Sequence, residues 1–480
     1  MKVAIISSEV VPFAKVGGLA DVAGSLPKAL EKNGIEVKVF LPKYKNISEE
    51  KFSLKRTVPF ISVPIKDTIK NAHIWEGRIG EKIQVFLVEN EEYFGRDNIY
   101  GYYDDPERYT FFSRAVIEAM KRMEFVPDVI HANDWQTGLI PVYLKTLYAK
   151  DEFFKETGTL YTIHNLAYQG ITDKEHILVA NLPWSVFQMD GLEYYGNVNI
   201  MKGGIIFSEA INTVSKTYAK EIQTPEYGEG LEGVLLSKKD RLFGIVNGID
   251  YEVWNPETDK DIKANYSVET IEKKIENKRA LKEENGFSSP DSIPLFGLIS
   301  RLVDQKGLDI LLEGINEIMA LDLEFIILGT GDEKYHIALK EMVNKYPDKL
   351  RAHIMFDPHL ARRIYAGVDF FLMPSKFEPC GLGQLISLRY GTVPVVRKTG
   401  GLADTVIPFD LEKGEGNGIV FEKYSKDTLV DAIRRAVELY KNPEKMRICQ
   451  KNGMRADYSW NRSANEYIEL YKKVKNFKVS

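Results

Sequence analysis

The same glycine turn stands near both ends of this 480-residue chain: Lys15-Val-Gly-Gly-Leu-Ala-Asp21 and Lys398-Thr-Gly-Gly-Leu-Ala-Asp404 agree at six of seven positions. Each follows an apolar strand and opens a helical pattern, which makes it the strand-to-helix turn of a parallel α/β sheet. A tight turn accounts for Gly-Gly but not for the shared Lys and Asp, so the repetition restricts the chain to a fold with two similar halves. The first half opens strand, turn, helix, strand over 2–7, 15–18, 19–33 and 36–42, with Gly34 placed to end the helix. Alternating patterns near 58–64, 72–79 and 83–89 read as an antiparallel insertion, and short buried strands follow at 128–131, 159–164 and 211–215. A second series begins at Pro294 and continues through strands at 324–330, 352–356, 370–375, 392–397 and 418–421. The 3–4 spacing of Trp460, Ala464, Tyr467, Leu470, Tyr471 and Val474 predicts a terminal amphipathic helix. The expected fold class is α/β, with two Rossmann-like doubly wound domains over 1–241 and 242–457 and a closing helix over 458–480.

Composition narrows the classes of function. The 64 basic and 69 acidic side chains leave a net charge of −5, which argues against a dedicated nucleic-acid or polybasic membrane binder. Two cysteines, Cys380 and Cys449, are too few for a disulfide framework and fit a reducing, cytoplasmic setting. The apolar run after Met1-Lys2 is cut by Ser7, Ser8 and Glu9, so no signal-peptide core is read there, and no apolar window is long enough to span a bilayer.

Four further segments carry chemistry. Ser300-Arg-Leu-Val-Asp-Gln-Lys-Gly307 leaves a buried strand and enters a helix, placing Arg301 and Lys306 where an open α/β sheet meets a diphosphate. Phe377-Glu-Pro-Cys-Gly-Leu382 sets Glu378 ahead of a helix start, suited to gripping sugar hydroxyls while nearby amides take a phosphate. His131-Ala-Asn-Asp-Trp135 and Thr162-Ile-His-Asn-Leu-Ala-Tyr-Gln-Gly170 bring imidazole, carboxylate, amide and aromatic groups to strand ends, the composition of a carbohydrate pocket. No P-loop signature is present, and the nearest dinucleotide fingerprint, Gly329-Thr-Gly-Asp-Glu-Lys334, ends in Lys where Gly is needed. Metal readings are poor: the D-x-D of Asp259 and Asp261 lies in a lysine-rich stretch that reads as solvated.

Together, in order, K-V-G-G-L-A-D, H-A-N-D-W, T-I-H-N-L-A-Y-Q-G, V-N-G-I-D, S-R-L-V-D-Q-K-G, F-E-P-C-G-L and K-T-G-G-L-A-D resemble the bacterial glycogen synthase and plant starch synthase family across essentially the whole chain. The resemblance implies a glycosyltransferase B fold with two domains facing a cleft, and glucose transfer from ADP-glucose to the nonreducing 4-OH end of an α-1,4-glucan with retention. By matching position it implies a catalytic set of Glu378, His164, Asp134, Arg301 and Lys306. It implies donor binding by Lys15, Gly18, Asp21, Asn247, Arg301, Lys306, Cys380, Gly381, Leu382, Thr399, Gly400 and Gly401, and an acceptor-side role for Tyr100. No cofactor and no essential metal are expected, and the partners are the glucan and the nucleotide sugar, with neither nucleic acid nor membrane. Many related transferases carry a second glutamate eight residues after the first; here that position is Ile386, with Gln384 the nearest polar residue. Phe356 or a neighbour is placed to stack on the nucleobase, which does not separate adenine from uracil. UDP-glucose as donor and a nonenzymatic glucan-binding protein therefore stand as alternatives.

Overall fold

A computed structural model describes residues 1–479. The chain divides into two compact units, Met1–Gly248 with Trp460–Ser480, and Ile249–Ser459.

The first unit is built on a nine-stranded sheet. In chain order its strands are β1 (Lys2–Ile6), β2 (Glu36–Pro42), β3 (Lys55–Ile65), β4 (Thr68–Ile79), β5 (Ile83–Glu89), β6 (Val129–Asn133) and β7 (Gly158–Ile163). A separate three-stranded ribbon holds β8 (Ile171–Thr172), β9 (Glu193–Tyr194) and β10 (Asn197–Asn199), and the main sheet ends with β11 (Ala210–Thr213) and β12 (Leu242–Gly244). The spatial order is β12-β11-β7-β6-β1-β2-β5-β4-β3, parallel from β12 to β5 and antiparallel across the hairpin insertion. Strands β6 and β7 are buried at every position, as expected of parallel strands covered on both faces. The order reverses between β1 and β6, so a crevice is expected beyond their carboxyl ends.

The terminal helix Trp460–Val479 packs against the helix Gly18–Lys32 and β7 and buries all six residues of its predicted stripe. Tyr471 and Tyr467 on that helix change the reading of His131. Its ring is fully buried, with Nδ1 2.9 Å from the Tyr471 hydroxyl and Nε2 2.7 Å from Thr162 Oγ1, so it belongs to the core and not to a pocket.

The second unit carries a six-stranded parallel sheet ordered β15-β14-β13-β16-β17-β18, from β13 (Leu295–Ile299), β14 (Glu324–Leu328), β15 (Leu350–His353), β16 (Phe370–Met373), β17 (Val393–Arg397) and β18 (Ile419–Phe421). Its order reverses between β13 and β16. The division between units falls at 248/249 and not at 241/242, because β12 pairs with β11 as the edge of the first sheet. It falls at 459/460 on the return, where Ile249 N–H donates to the Tyr458 carbonyl at 2.9 Å within the second unit.

The amino edge of the second sheet is tied down by charge. Lys274, Lys278 and Lys282 recur every fourth residue on the helix Lys274–Glu284, and each is at most 5% exposed. Lys278 Nζ lies 2.7 Å from Asp369 Oδ2 and donates to the carbonyls of Asp291 and Ile293, while Asp369 also accepts Leu295 N–H at 2.8 Å. The pair thereby joins the starts of β13 and β16. Lys274 Nζ donates to the Ala366 carbonyl at 2.6 Å and to Thr392 Oγ1 at 2.7 Å with no carboxylate in hydrogen-bond contact among the described residues, and burial pushes its ammonium down from 10.5 to about 7.

Two outcomes are predicted. Lys278→Met strands a buried carboxylate and costs about 3–5 kcal/mol, read as a fall in the urea midpoint, and most of it returns when Asp369→Leu is added. For Lys274, the unfolded chain binds the extra proton between pH 7 and 10.5, so stability rises with pH through that window. Thermal melts of Lys274→Met over the same range are expected to lose this slope.

Candidate functional site

In the first unit the predicted residues gather where β1, β6 and β7 end. Asp134 follows β6 with φ 55°, a left-handed conformation that costs a non-glycine residue strain and is concentrated at functional positions. Its N–H donates across to the Thr162 carbonyl at 2.9 Å, and its Oδ1 accepts His164 N–H at 2.7 Å, so the aspartate pins the turn after β7. Burial raises the Asp134 carboxyl to about 7 against the opposing pull of the His164 and Asn165 amides, with the Glu9 charge adding to the rise.

The tautomer of His164 follows from its neighbour. Asn133 Nδ2 donates to the carbonyls of Ile6 and His131 at 3.1 and 3.2 Å, which fixes Oδ1 as the face turned to the imidazole. His164 Nε2–H therefore donates to Asn133 Oδ1 at 2.9 Å, and Nδ1 carries the lone pair. Burial lowers this ring to about 3, so at neutral pH it is an uncharged hydrogen-bond acceptor. Asn247 Oδ1 and the Tyr161 hydroxyl are among the buried oxygens of this unit that have no hydrogen-bond partner among the described residues.

In the first glycine turn Glu9 occupies the amides of Val16 and Gly17. Oε2 accepts Val16 N–H and, at 2.8 Å, Gly17 N–H, while Oε1 accepts the Tyr100 hydroxyl at 2.7 Å. Lys15 Nζ lies 2.7 Å from Asp21 Oδ1, both partly exposed, and Gly18 begins the helix. Tyr100 lies at the same place, its hydroxyl also 2.7 Å from Ser8 Oγ.

In the second unit the loops after β13 and β16 are zipped together. Lys376 N–H donates to the Gln305 carbonyl at 2.9 Å, Gln305 Nε2 to the Phe377 carbonyl at 3.2 Å, and Lys306 Nζ to Glu378 Oε2 at 2.6 Å. Ser375 Oγ reaches the same carboxylate oxygen at 3.0 Å. Glu378 is 6% exposed, whereas Arg301, on the same turn as Lys306, is exposed and its guanidinium has no partner among the described residues. Arg397 braces the loop from β17, donating from Nε to the Ser375 carbonyl at 3.0 Å and from Nη2 to that of Lys376.

Here the glycines serve close approach. A Cβ on Gly400 (φ +43°) would lie 2.0 Å from the Glu378 carbonyl oxygen, and one on Gly401 2.0 Å from that of Cys380. Thr399, Gly400 and Gly401 thus seat the Glu378–Leu382 loop, with Gly401 N–H donating to the Glu378 and Pro379 carbonyls. Gly381 takes φ +74°, and Gln384 Nε2 donates to the carbonyls of Cys380 and Gly381, which makes Gln384 a brace beneath the loop.

One sequence reading is corrected. The D-x-D pair is not solvated: Asp259 is 7% exposed and held by Arg362 Nη1 at 3.0 Å and by the Tyr390 hydroxyl, while Asp261 accepts from His359 Nδ1 at 2.8 Å. Gly329 and Gly331, whose fingerprint is already incomplete in sequence, serve close packing, since a Cβ on each would strike the Ser300 and Leu302 carbonyls. Phe356 stands beyond β15, 84% exposed.

Sequence reasoning passed over Glu9, Ser375 and Arg397. Ser7-Ser8-Glu9 directly after a buried strand was the available signal for the first; Ser375 stands three residues before Glu378, the carboxylate it meets, and nothing in the sequence marks Arg397, whose partners lie in another loop.

Comparison with known proteins fits this geometry. The family described as "Starch synthase catalytic domain" matches residues 2–237, and "Glycosyl transferases group 1" matches residues 279–455. Relatives include proteins named glycogen synthase from Thermosipho africanus, 52% identical over 99% of both chains, and from Thermotoga petrophila, 49% identical over 99% of both. Among solved structures, the catalytic domain of starch synthase IV from Arabidopsis thaliana, bound to ADP and acarbose, superposes with a TM-score of 0.91 at 35% identity over 99% of both chains. Sucrose-phosphate synthase from Thermosynechococcus elongatus, 17% identical over 98% of both chains with a TM-score of 0.62, shares the fold. With half its residues identical to glycogen synthases along its full length, the chain belongs to the glycogen and starch synthase family of retaining glucosyltransferases.

Proposed function

We propose that the chain transfers glucose from ADP-glucose to the nonreducing 4-OH end of an α-1,4-glucan with retention, releasing ADP. The observation that carries this reading is the Lys306–Glu378 ion pair at the reversal point of the second sheet, with the unpartnered Arg301 on the same turn. The relatives' name, and the ADP and acarbose held by the Arabidopsis structure, supply the choice of donor and acceptor.

The reaction breaks the bond between the anomeric carbon and a diphosphate oxygen, so charge develops on the leaving group while an oxocarbenium-like centre forms. Arg301 contributes a planar, permanently charged fork, and Lys306 contributes the N–H groups that Glu378 leaves unused. Fixed donors aimed at a developing oxyanion are worth roughly 3–4 kcal/mol each. Lys15 is assigned to the donor as well, through its ammonium, because the Val16 and Gly17 amides of its turn are taken by Glu9. No metal is assigned to the diphosphate: the D-x-D carboxylates that would hold one are consumed by Arg362, Tyr390 and His359.

Glu378 shares one oxygen with Lys306 and Ser375, and its role is to orient the transferred sugar. A double displacement would use two carboxylates about 5–5.5 Å apart, one of them a nucleophile; the position expected for a second glutamate on this helix is the buried Ile386. We therefore assign the front-face route, in which the departing phosphate oxygen takes the proton of the incoming hydroxyl. His164, neutral and with Nδ1 unprotonated, accepts a hydrogen bond from a sugar hydroxyl and donates no proton. Asp134 holds the turn that carries it, and Asn247 offers its unpartnered Oδ1 to the same sugar. The buried cysteines Cys380 and Cys449, neither of them in a disulfide, fit a reducing, cytoplasmic setting, and among the described residues no helix is long and apolar enough to cross a membrane.

Arg301→Ala and Lys306→Ala are each expected to lower turnover by about 10² or more, on the oxyanion argument, with unchanged circular dichroism; near-normal rates in both would remove the clamp. A coupled assay offering ADP-glucose and UDP-glucose with glycogen primer, in the presence and absence of EDTA, is expected to show faster release of ADP, insensitive to the chelator. Faster turnover of UDP-glucose would overturn the donor, and glucan binding with no nucleotide release would point to a binding protein.

A further inference from the structure

Glu9 is a carboxylate that the transfer reaction does not use, yet it is 4% exposed and its side chain accepts from Val16 N–H, Gly17 N–H and the Tyr100 hydroxyl. We propose that Glu9 is a positioning residue: an internal anion that sets the glycine turn 15–17 and, through its second oxygen, ties that turn to Tyr100. The proposal rests on the reading of Lys15 as a donor-side residue.

Consecutive N–H groups converging on one point form a concavity that takes an anion. At Val16 and Gly17 that concavity is occupied from within the chain, by Oε2 of a residue at the end of the neighbouring strand β1. The occupant decides what the turn can do. The Val16 and Gly17 amides are unavailable to a phosphate, and the pair instead sets the direction in which the turn launches the Lys15 side chain, which Asp21 then steadies at 2.7 Å. Oε1 meanwhile accepts the Tyr100 hydroxyl at 2.7 Å. Because the two oxygens belong to one rigid carboxylate, a shift of the turn and a shift of Tyr100 are the same movement. Charge-assisted bonds of this kind are roughly twice as strong as neutral ones, which favours an acid over an amide at the position.

The side-chain chemistry separates positioning from simple packing. In Glu9→Gln one oxygen still receives the two amides, and the new NH2 faces the Tyr100 hydroxyl, which can accept it and donate to Ser8 Oγ. In Glu9→Ala both amides and Tyr100 lose their partner, while a space the size of a small carboxylate opens.

Steady-state kinetics of the full chain test this. Glu9→Ala is expected to lower kcat about 10²-fold, the scale of loss for an ångström-sized misplacement, and added acetate or formate is expected to restore the rate saturably. Glu9→Gln is expected to lose much less. Wild-type kcat and KM in folded Glu9→Ala, or a loss that neither acetate nor formate relieves, would overturn the proposal. Should Glu9→Ala fail to fold, Glu9→Asp keeps the charge but retracts it by one methylene; a lowered kcat supports positioning and a wild-type kcat overturns it. Lys15→Ala, measured alongside, separates the two readings: wild-type rates in that variant would sink the donor-side role of Lys15, whereas acetate rescue bears on Glu9 alone.

Discussion

Lys306 and Glu378 hold each other at 2.6 Å where neither charge could be left alone, and much of the second unit's carboxyl edge exists to keep them there. Both side chains are largely withdrawn from water, and a charge withdrawn without a partner costs several kcal/mol. The pairing fixes the Glu378 loop against the Lys306 turn, backbone bonds from Lys376 and Gln305 repeat the connection, and Arg397 closes it from β17. Gly400 and Gly401 then let the next turn come within carbonyl contact of the same loop. A substrate phosphate arriving at Arg301 and Lys306 meets donors that are already oriented, so little reorganisation is left for the reaction step.

The amino edge of the same sheet uses charge differently. Lys278 and Asp369 join the first residues of two strands, and Lys282 lies 3.0 Å from Glu324 at the start of a third. These lysines spend their N–H groups on carbonyls, hydroxyls and carboxylates of the protein, leaving nothing to offer a ligand. One edge holds buried ion pairs; the other leaves Arg301 unpaired. That contrast, more than net charge, separates scaffold from site, since both edges are rich in cations.

The strands and the terminal helix were legible because their signals are local. Buried runs such as Val129–Asn133 and the stripe from Trp460 to Val474 announce themselves within a dozen residues. The unit boundary was less legible, because Leu242–Gly244 is a three-residue strand whose assignment depends on pairing with β11. Among site residues, Arg301, Lys306 and Glu378 could be read from turns that follow strands. Arg397 could not, as it matters only through a loop folded onto it from elsewhere, whereas Ser375 meets Glu378 within its own loop. The D-x-D was misread for a related reason. Neighbouring lysines suggested solvent, while the partners that bury Asp259, Arg362 and Tyr390, lie more than a hundred residues away.

The repeated heptapeptide shows how far sequence identity constrains chemistry. Both copies are strand-to-helix turns with Gly-Gly at the bend, yet their amides meet different partners. In the first copy Val16 and Gly17 donate to a carboxylate, and a Cβ on Gly17 would meet nothing within 4 Å. In the second copy Gly401 donates to peptide carbonyls, and a Cβ on Gly400 or Gly401 would collide with them at 2.0 Å. The glycines of the second copy are thus required by packing, whereas Gly17 has room for a side chain. What the copies share is the geometry of the bend. What each bend binds is set by the residue its neighbours bring to it, Glu9 in one case and the Glu378 loop in the other. A turn that looks ready for phosphate in sequence can be satisfied by the protein itself, and it then acts on the substrate only through the side chain it aims.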